Sequence, residues 1–237
     1  MGLNMKVKKK ITKKKLKQPD EFLSFTEKSY LFISHYIKKM AIGAILVLVL
    51  FLSFFLFRMW DQKKEDEANQ KFILALEAYQ MVSSPYRESS PAEYKKVLEG
   101  FEEVIKTYSR TSSAKYSLIY KGGIHLRLGE FDEAINAYDA FLKRADKERL
   151  YQLFAMEGLG YAHEGKKDYE KAVKAYQEII KLGEKYHWAG VHLNLARCYE
   201  KLGKTDESLE NYRAFLKVSP KSLSINSVLR KVSFFEK

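Results

Sequence analysis

One spacing of apolar residues recurs four times along the chain, and this recurrence limits the possible folds more than any other feature. In the segment FDEAINAYDAFL, residues 131–142, Ala and larger apolar residues stand at offsets 0, +3, +4, +7, +10 and +11 from Phe131. These offsets place them on one face of an α-helix. The pattern begins again at Tyr94, Tyr169 and, in a weaker copy, Thr205, so the copies are 37, 38 and 36 residues apart. Self-similarity at such a period indicates an array of repeats.

Each of the three later copies follows another helical segment and a short turn that contains a glycine. The repeating unit is therefore helix, turn, helix. Small residues that would allow the paired helices to approach closely stand at matching places in the first helices: Gly122, Gly160 and Ala196. A spacing that is reused four times is explained by packing, because a helical hairpin buries its apolar face only when neighbours stack on it.

These segments resemble tetratricopeptide repeats. The clearest copy matches the family pattern at eight positions: Leu195, Ala196, Tyr199, Gly203, Ser208, Tyr212, Phe215 and Pro220. The middle copy places Gly165 earlier than the pattern does, so we expect its turn to be altered. The resemblance implies an all-α fold in which residues 61–237 form an α-solenoid. Its parts are a degenerate repeat in 65–107, three clearer repeats in 113–220 and a terminal helix in 221–237.

A long run of apolar residues precedes the repeats. Residues 40–57, MAIGAILVLVLFLSFFLF, contain no charged residue and span roughly 27 Å as a helix, close to the hydrocarbon thickness of a bilayer. Basic residues flank the run, and Trp60 follows it. A core helix and a cleaved signal peptide are the alternatives, but the run is long for a signal peptide and ends in bulky residues. We therefore predict a retained transmembrane anchor in residues 40–60, from Met40 through Phe57 to Trp60.

The positive charge of the chain is concentrated before this run. Residues 1–39 hold eleven Lys and three acidic residues, out of a net charge of +12 for the whole chain. This excess predicts that residues 1–39 are a Lys-rich cytoplasmic tail and that the repeats face the other side of the membrane. Aromatic residues at helical spacing between residues 22 and 36 predict either an interfacial amphipathic helix or an extension of the spanning helix.

The sequence lacks the residue arrangements typical of catalytic and metal sites. His125 and His163 occupy a repeat position that a Tyr holds in the third copy, so we interpret them as packing residues. His187 and His192 are five residues apart, whereas a helical metal pair is separated by four. Cys198 has no second Cys for a structural zinc site, and we expect a buried thiol. We therefore expect no enzymatic activity, no metal and no cofactor.

The resemblance also implies a binding surface, because ligands of tetratricopeptide repeats commonly lie against the first helices of successive repeats. Carrying those family positions over gives a mixed apolar and charged groove: Tyr116, Ile119, Leu126, Phe154, Glu157, Tyr161, Glu164, Leu193 and Arg197. The Lys and Asn pairs with which some relatives clamp a C-terminal carboxylate are missing at the corresponding places. We therefore do not expect a clamp of that kind.

The order of segments is similar to that of the YfgM-like ancillary subunits of the bacterial SecYEG translocon. This similarity implies a single-pass protein of the bacterial inner membrane whose periplasmic repeats bind the translocon, a periplasmic chaperone or emerging clients. The repeats alone equally allow a structural subunit of another envelope machine, such as a division, secretion or motility complex. An envelope enzyme or its activator is a third hypothesis. Nucleic-acid binding would depend on the Lys-rich tail alone, and we do not expect it.

Overall fold

The structure, a computed structural model, describes residues 21–182 and 189–236, and within these ranges all regular secondary structure is helical. The Lys-rich stretch of residues 1–20, as well as His187 and Lys237, lies outside the described residues. The chain divides into two units, one ending at Trp60 and one beginning at Asp61. The helices are α1 (Glu21–Val82), α2 (Pro91–Thr107), α3 (Ser112–Leu128), α4 (Phe131–Leu142), α5 (Arg149–Gly165), α6 (Tyr169–Leu182), α7 (Ala189–Lys201), α8 (Thr205–Val218) and α9 (Ile225–Phe235).

The described part of the first unit is the N-terminal portion of α1. Every side chain of residues 40–57 is exposed, and Met40, Phe57 and Trp60 are each more than half exposed. The apolar run is therefore not a core helix of this chain. By length and composition, this part of α1 is able to cross a membrane. The helix continues without a break from Glu21 into the run, as expected if the aromatic residues between 22 and 36 belong to an extension of the spanning helix.

The second unit is built from helical hairpins, and local side chains cap the first turns of α2 and α3. The Ser90 hydroxyl accepts a hydrogen bond from the backbone N–H of Glu93, and the Glu93 carboxylate accepts one from the Ser90 N–H at 2.8 Å. This capping box and Pro91 define the start of α2. Thr111 caps α3 in the same way, because its hydroxyl accepts from the N–H of Ala114 at 3.1 Å.

A carboxylate from α1 adds to the cap of α3. The two oxygens of Glu65 accept hydrogen bonds from the backbone N–H groups of Ser112 and Ser113 at 2.9 and 3.2 Å. These N–H groups have no partner inside α3, and the positive end of the helix dipole lies at the same place. Glu65 therefore ties the C-terminal part of α1 to α3 within the second unit.

Glycines in the first helices admit tyrosines from the second helices. A Cβ atom on Gly122 would lie 2.7 Å from the ring of Tyr138, and a Cβ atom on Gly160 would overlap the ring of Tyr176. Tyr138 and Tyr176 stand at offset +7 of successive copies of the repeated spacing. The prediction that small residues let the paired helices approach is confirmed at both glycines. Tyr138 also meets Gly158 of the next repeat, so one ring joins two hairpins.

The turns between paired helices share one backbone geometry. In each of the three, an N–H group at the end of the turn donates to a carbonyl five residues earlier, from Glu130 to His125 and equivalently from Asp168 and Lys204. Gly129 and Gly203 take the left-handed conformation that this turn requires, with φ of 73° and 70°. The expectation of an altered turn after α5 is therefore wrong. Its backbone follows the same path, but Lys167 holds the left-handed position, with φ of 61°.

Gly165 has a different role from the turn glycines. A Cβ atom on Gly165 would overlap the ring of Phe131 from α4, so the glycine serves packing between hairpins. At the C-terminal end of the array, Val228 of α9 is buried in a cluster with Ala196, Tyr212 and Phe215. α9 thus covers the apolar side of the last hairpin.

Candidate protein-interaction surface

The first helices of three hairpins lie side by side and form one face of the array. The rings of Tyr116 and Tyr151 are 4.8 Å apart and connect α3 with α5. The side-chain amide of Asn194 donates to the hydroxyl of Tyr161 at 3.1 Å and connects α5 with α7. We call the surface built by the following residues the α3–α5–α7 face: Tyr116, Ile119, Leu150, Tyr151, Phe154, Glu157, Tyr161, Glu164, Leu193, Asn194 and Arg197.

The apolar groove residues predicted on α3 and α7 are partly buried in the core and partly exposed to solvent. Tyr116, Ile119 and Leu126 are partly buried and pack against the cluster around Phe141. Leu193 is likewise partly buried against the cluster below α8 and α9. Of these four side chains, Tyr116, Ile119 and Leu193 belong to the face and contribute only part of their area to it.

The apolar surface of the face is concentrated on α5. Phe154 is 44% exposed and Tyr161 is 41% exposed. Leu150 and Tyr151, which the sequence analysis did not select, are exposed to the same extent. Their spacing from Phe154, four and three residues, was the available signal, because residues at this spacing share a helix face. These four large side chains of α5 are thus each between 41% and 45% exposed, and they form the apolar part of the face.

A hydrogen-bonded network joins the polar residues of α5 and α7. The guanidinium group of Arg197 donates to both oxygens of Glu164, at 2.9 and 2.7 Å, and also to the amide oxygen of Asn194. The Tyr161 hydroxyl donates to Glu157 at 3.1 Å while accepting from Asn194. The structure therefore brings four of the predicted residues together, and Asn194, which the sequence analysis missed, connects them.

Glu164 is occupied by contacts inside the array. Besides Arg197, it accepts a hydrogen bond from the buried hydroxyl of Tyr176 at 2.7 Å. Burial and this bond raise the pKa of Tyr176, and the carboxylate raises the pKa of Arg197. The next repeat has the same arrangement, because Tyr212 donates to Glu200 at 2.8 Å. A contact that recurs in two hairpins points to a packing role, and Leu126 stands at the equivalent place in the preceding hairpin.

Glu157 has a different environment from Glu164. Its carboxylate is half-buried, and burial raises its pKa, while the hydrogen bond from Tyr161 acts in the opposite direction. Among the described residues, no Lys, Arg or His forms an ion pair with Glu157, whereas Glu148, Glu164 and Glu200 each have a cationic partner. A partly desolvated carboxylate without a counter-charge is energetically unfavourable in the unbound protein.

The residues tested for chemistry occupy structural positions. The Cys198 thiol is buried, and burial raises its pKa to about 12, so it is an unreactive thiol as expected. His125 is buried, and its Nδ1 lies 2.7 Å from a carboxylate oxygen of Glu130. His192 contacts Asn211 through a ring nitrogen at 3.2 Å. In the part of the chain that the structure describes, no group of three or more metal-ligating side chains converges.

Comparison with protein families identifies the repeat. A model described as a tetratricopeptide repeat matches residues 121–187, and a second one matches residues 189–222. The chain contains tetratricopeptide repeats. The matched residues include the C-terminal part of α3 together with α4 to α8. Stacked repeats of this type present extended surfaces that bind other proteins. The comparison with curated proteins gives no match.

Solved structures agree on the fold. MamA from Desulfovibrio magneticus RS-1, residue 41 to the end, is similar with a TM-score of 0.53 and 16% identity, over 70% of this chain and 82% of that chain. A tetratricopeptide repeat protein from Parabacteroides merdae gives 0.57 and 15%, over 70% and 60%. The apo form of RapI gives 0.59 and 12%, over 72% and 63%. At these identities the similarity concerns the fold alone.

Proposed function

We propose that this protein is a membrane-anchored scaffold that binds other proteins through the α3–α5–α7 face. The observation that carries the proposal is the row of exposed side chains on α5, Leu150, Tyr151, Phe154 and Tyr161. α5 is the first helix of its hairpin, and ligands of the resembled repeats commonly lie against the first helices. The tetratricopeptide repeats support protein binding, and the exposed apolar part of α1 supports anchoring.

The proposed location is a bacterial inner membrane, with the N-terminus in the cytoplasm and the repeats in the periplasm. A run of eighteen exposed residues without a charge, nearly all of them apolar, would favour aggregation in water, and a bilayer removes this exposure. The Lys excess of residues 1–39 supports a cytoplasmic N-terminus. In this arrangement, and given the likeness to YfgM-like subunits, the proposed partners are the translocon, periplasmic chaperones or proteins emerging from the membrane.

Anchoring is tested by placing lysines in the apolar run. Leu48 and Leu52 replaced together by Lys would each add roughly 2.5–3.5 kcal/mol to the cost of insertion at mid-helix. We expect the double variant to leave the membrane fraction after alkaline extraction. Leu74→Lys with Met81→Lys is the matched control, since these two residues are exposed at 62% and 67% in the second unit. Loss of both variants from the membrane, or retention of both, contradicts the anchor in residues 40–60.

Partner binding is tested by purifying the tagged full-length protein in mild detergent and quantifying the proteins that accompany it. Phe154→Ala removes an exposed ring from the face. Tyr86→Ala removes a ring that is 97% exposed in the loop between α1 and α2, and it serves as the control. Translocon or chaperone subunits that are lost with Phe154→Ala and kept with Tyr86→Ala support the proposal. A different envelope complex in fixed stoichiometry, unchanged by Phe154→Ala, supports instead a structural subunit that uses another surface.

A further inference from the structure

We propose that the α3–α5–α7 face recognises a partner segment that presents an arginine between apolar residues, with Glu157 as the residue that receives the guanidinium group. This inference rests on the proposed protein-binding function and specifies the chemistry of the partner. It follows from the surroundings of Glu157, the aromatic rings beside it and the pairing of the neighbouring charges.

The first step concerns the unpaired charge. Among the residues that the structure describes, Glu157 accepts a hydrogen bond from one donor, the hydroxyl of Tyr161, although a carboxylate has room for about four. The comparable carboxylates of the array already hold their cations: Glu148 pairs with Lys115, Glu164 with Arg197 and Glu200 with Lys231. Glu157 is therefore the carboxylate of this face that an incoming cation would satisfy.

The second step concerns the type of cation. Phe154 and Tyr161 are three residues before and four residues after Glu157, so their exposed rings flank the carboxylate on the same helix face. An aromatic ring attracts a cation placed over its face, and the flat guanidinium group combines this contact with paired hydrogen bonds to a carboxylate. Arginine satisfies both features better than lysine, because an ammonium group is more strongly hydrated and offers no planar fork.

The third step excludes an acidic partner segment and a purely apolar one. An apolar segment lying on α5 would bury Glu157 further without compensating its charge, which is costly. An acidic segment would add repulsion. Arg197 would compensate this repulsion only weakly, because its charge is already balanced by Glu164, to which it donates two hydrogen bonds. Apolar residues on either side of the arginine fit the exposed surface of Leu150, Tyr151 and Phe154, which precede Glu157 on α5, and that of Tyr161, which follows it.

The experiment selects binders from a random 12-residue peptide library, using the full-length protein in nanodiscs as bait, and compares the parent with Glu157→Gln. We expect arginine flanked by apolar residues to be enriched by the parent and not by the variant. Glu170→Gln, which changes an exposed carboxylate on α6, is the control and should select the same peptides as the parent.

The affinity of a selected peptide gives the magnitude. Fluorescence anisotropy should show binding weakened roughly 10- to 100-fold in Glu157→Gln, the range expected for losing a hydrogen-bonded charge. Replacing the peptide arginine by lysine should weaken binding to the parent, and replacing it by norleucine should weaken it more. Phe154→Leu should reduce the preference for arginine over norleucine, because it keeps the apolar contact and removes the ring.

Several outcomes overturn the inference. One is a selected pool without arginine, which would leave the protein-binding function intact. Another is an arginine-rich pool that Glu157→Gln also selects. The arginine would then contact another part of the bait, such as the lipid surface of the nanodisc. If the parent selects no peptide at all, the proposed function of the face fails together with the inference. Unfolding measurements separate these results from misfolding, since Glu157→Gln removes a half-buried uncompensated charge and should not destabilise the protein.

Discussion

Lys167 is the described non-glycine residue with a positive φ, and replacing it by Gly should stabilise the hairpin of α5 and α6. At φ of 61° the Cβ atom of an L-residue approaches the neighbouring carbonyl oxygen, which costs about 1–2 kcal/mol. Glycine removes this cost but increases the freedom of the unfolded chain, which offsets about 0.5–1 kcal/mol. The expected net gain is therefore about 0.5–1 kcal/mol. The backbone bonds of the turn, Lys167 N–H to Glu164 and Asp168 N–H to His163, stay in place.

The measurement is hydrogen exchange of the α5 and α6 amides in the full-length protein in mild detergent. Amides that exchange by opening of this hairpin should slow roughly 2- to 5-fold in Lys167→Gly, which corresponds to the expected gain. Lys167→Ala is the control, because alanine removes the long side chain but keeps the Cβ atom and hence the strain. The reasoning is refuted if alanine slows exchange as much as glycine does, or if glycine accelerates it.

The same structure supports three further predictions. Gly122→Ala should destabilise the array by about 1–3 kcal/mol in urea unfolding, because the new Cβ would lie 2.7 Å from the ring of Tyr138, whereas Gly123→Ala meets only ordinary contacts and should be neutral or stabilising. Glu65→Gln should speed exchange of the first amides of α3, because the charge at the helix N-terminus contributes about 0.3–1 kcal/mol, and equal rates in variant and parent would contradict the cap. Lys115 lowers the pKa of Glu148 to about 2, below its value in the unfolded chain. The stabilisation of the folded protein by this pair is therefore present above about pH 4.3 and is lost as the pH falls towards 2. The urea midpoint of the parent should therefore fall more steeply between about pH 5 and 3 than that of Glu148→Gln, and parallel curves would contradict the pairing.

Much of the fold could be predicted because its signals are local or periodic. The repeated spacing of apolar residues specifies which face of each helix is buried, and the matching glycines predict where paired helices come close. Tyr138 against Gly122 shows both signals acting together. The turn after α5 was misjudged for a physical reason. The position of the left-handed residue was inferred from the position of the glycine. The turn keeps its geometry with Lys167 as the left-handed residue, and Gly165 instead leaves room for the ring of Phe131.

The candidate site was predictable only in part. Placing residues on the first helices follows from the repeat, and the side chains of Phe154 and Tyr161 are indeed exposed. The sequence analysis treated Glu157 and Glu164 alike, because both carry the same charge on nearly the same helix face. It also passed over Asn194, a polar residue at the position that Gly158 holds one repeat earlier, which was the one signal that could have found it.

The sequence by itself determined the helical class, the period of the array and the apolar run, since each depends on residues that are neighbours along the chain. Only the tertiary structure decided which charges are paired. Glu164 meets Arg197, and Glu148 meets Lys115, across 33 residues in each case. Such contacts depend on the angle and distance at which successive hairpins stack. Glu157 is left without a cationic partner among the described residues because no Lys, Arg or His from a neighbouring helix reaches it in that stacking, and this distinction gives the face its proposed specificity.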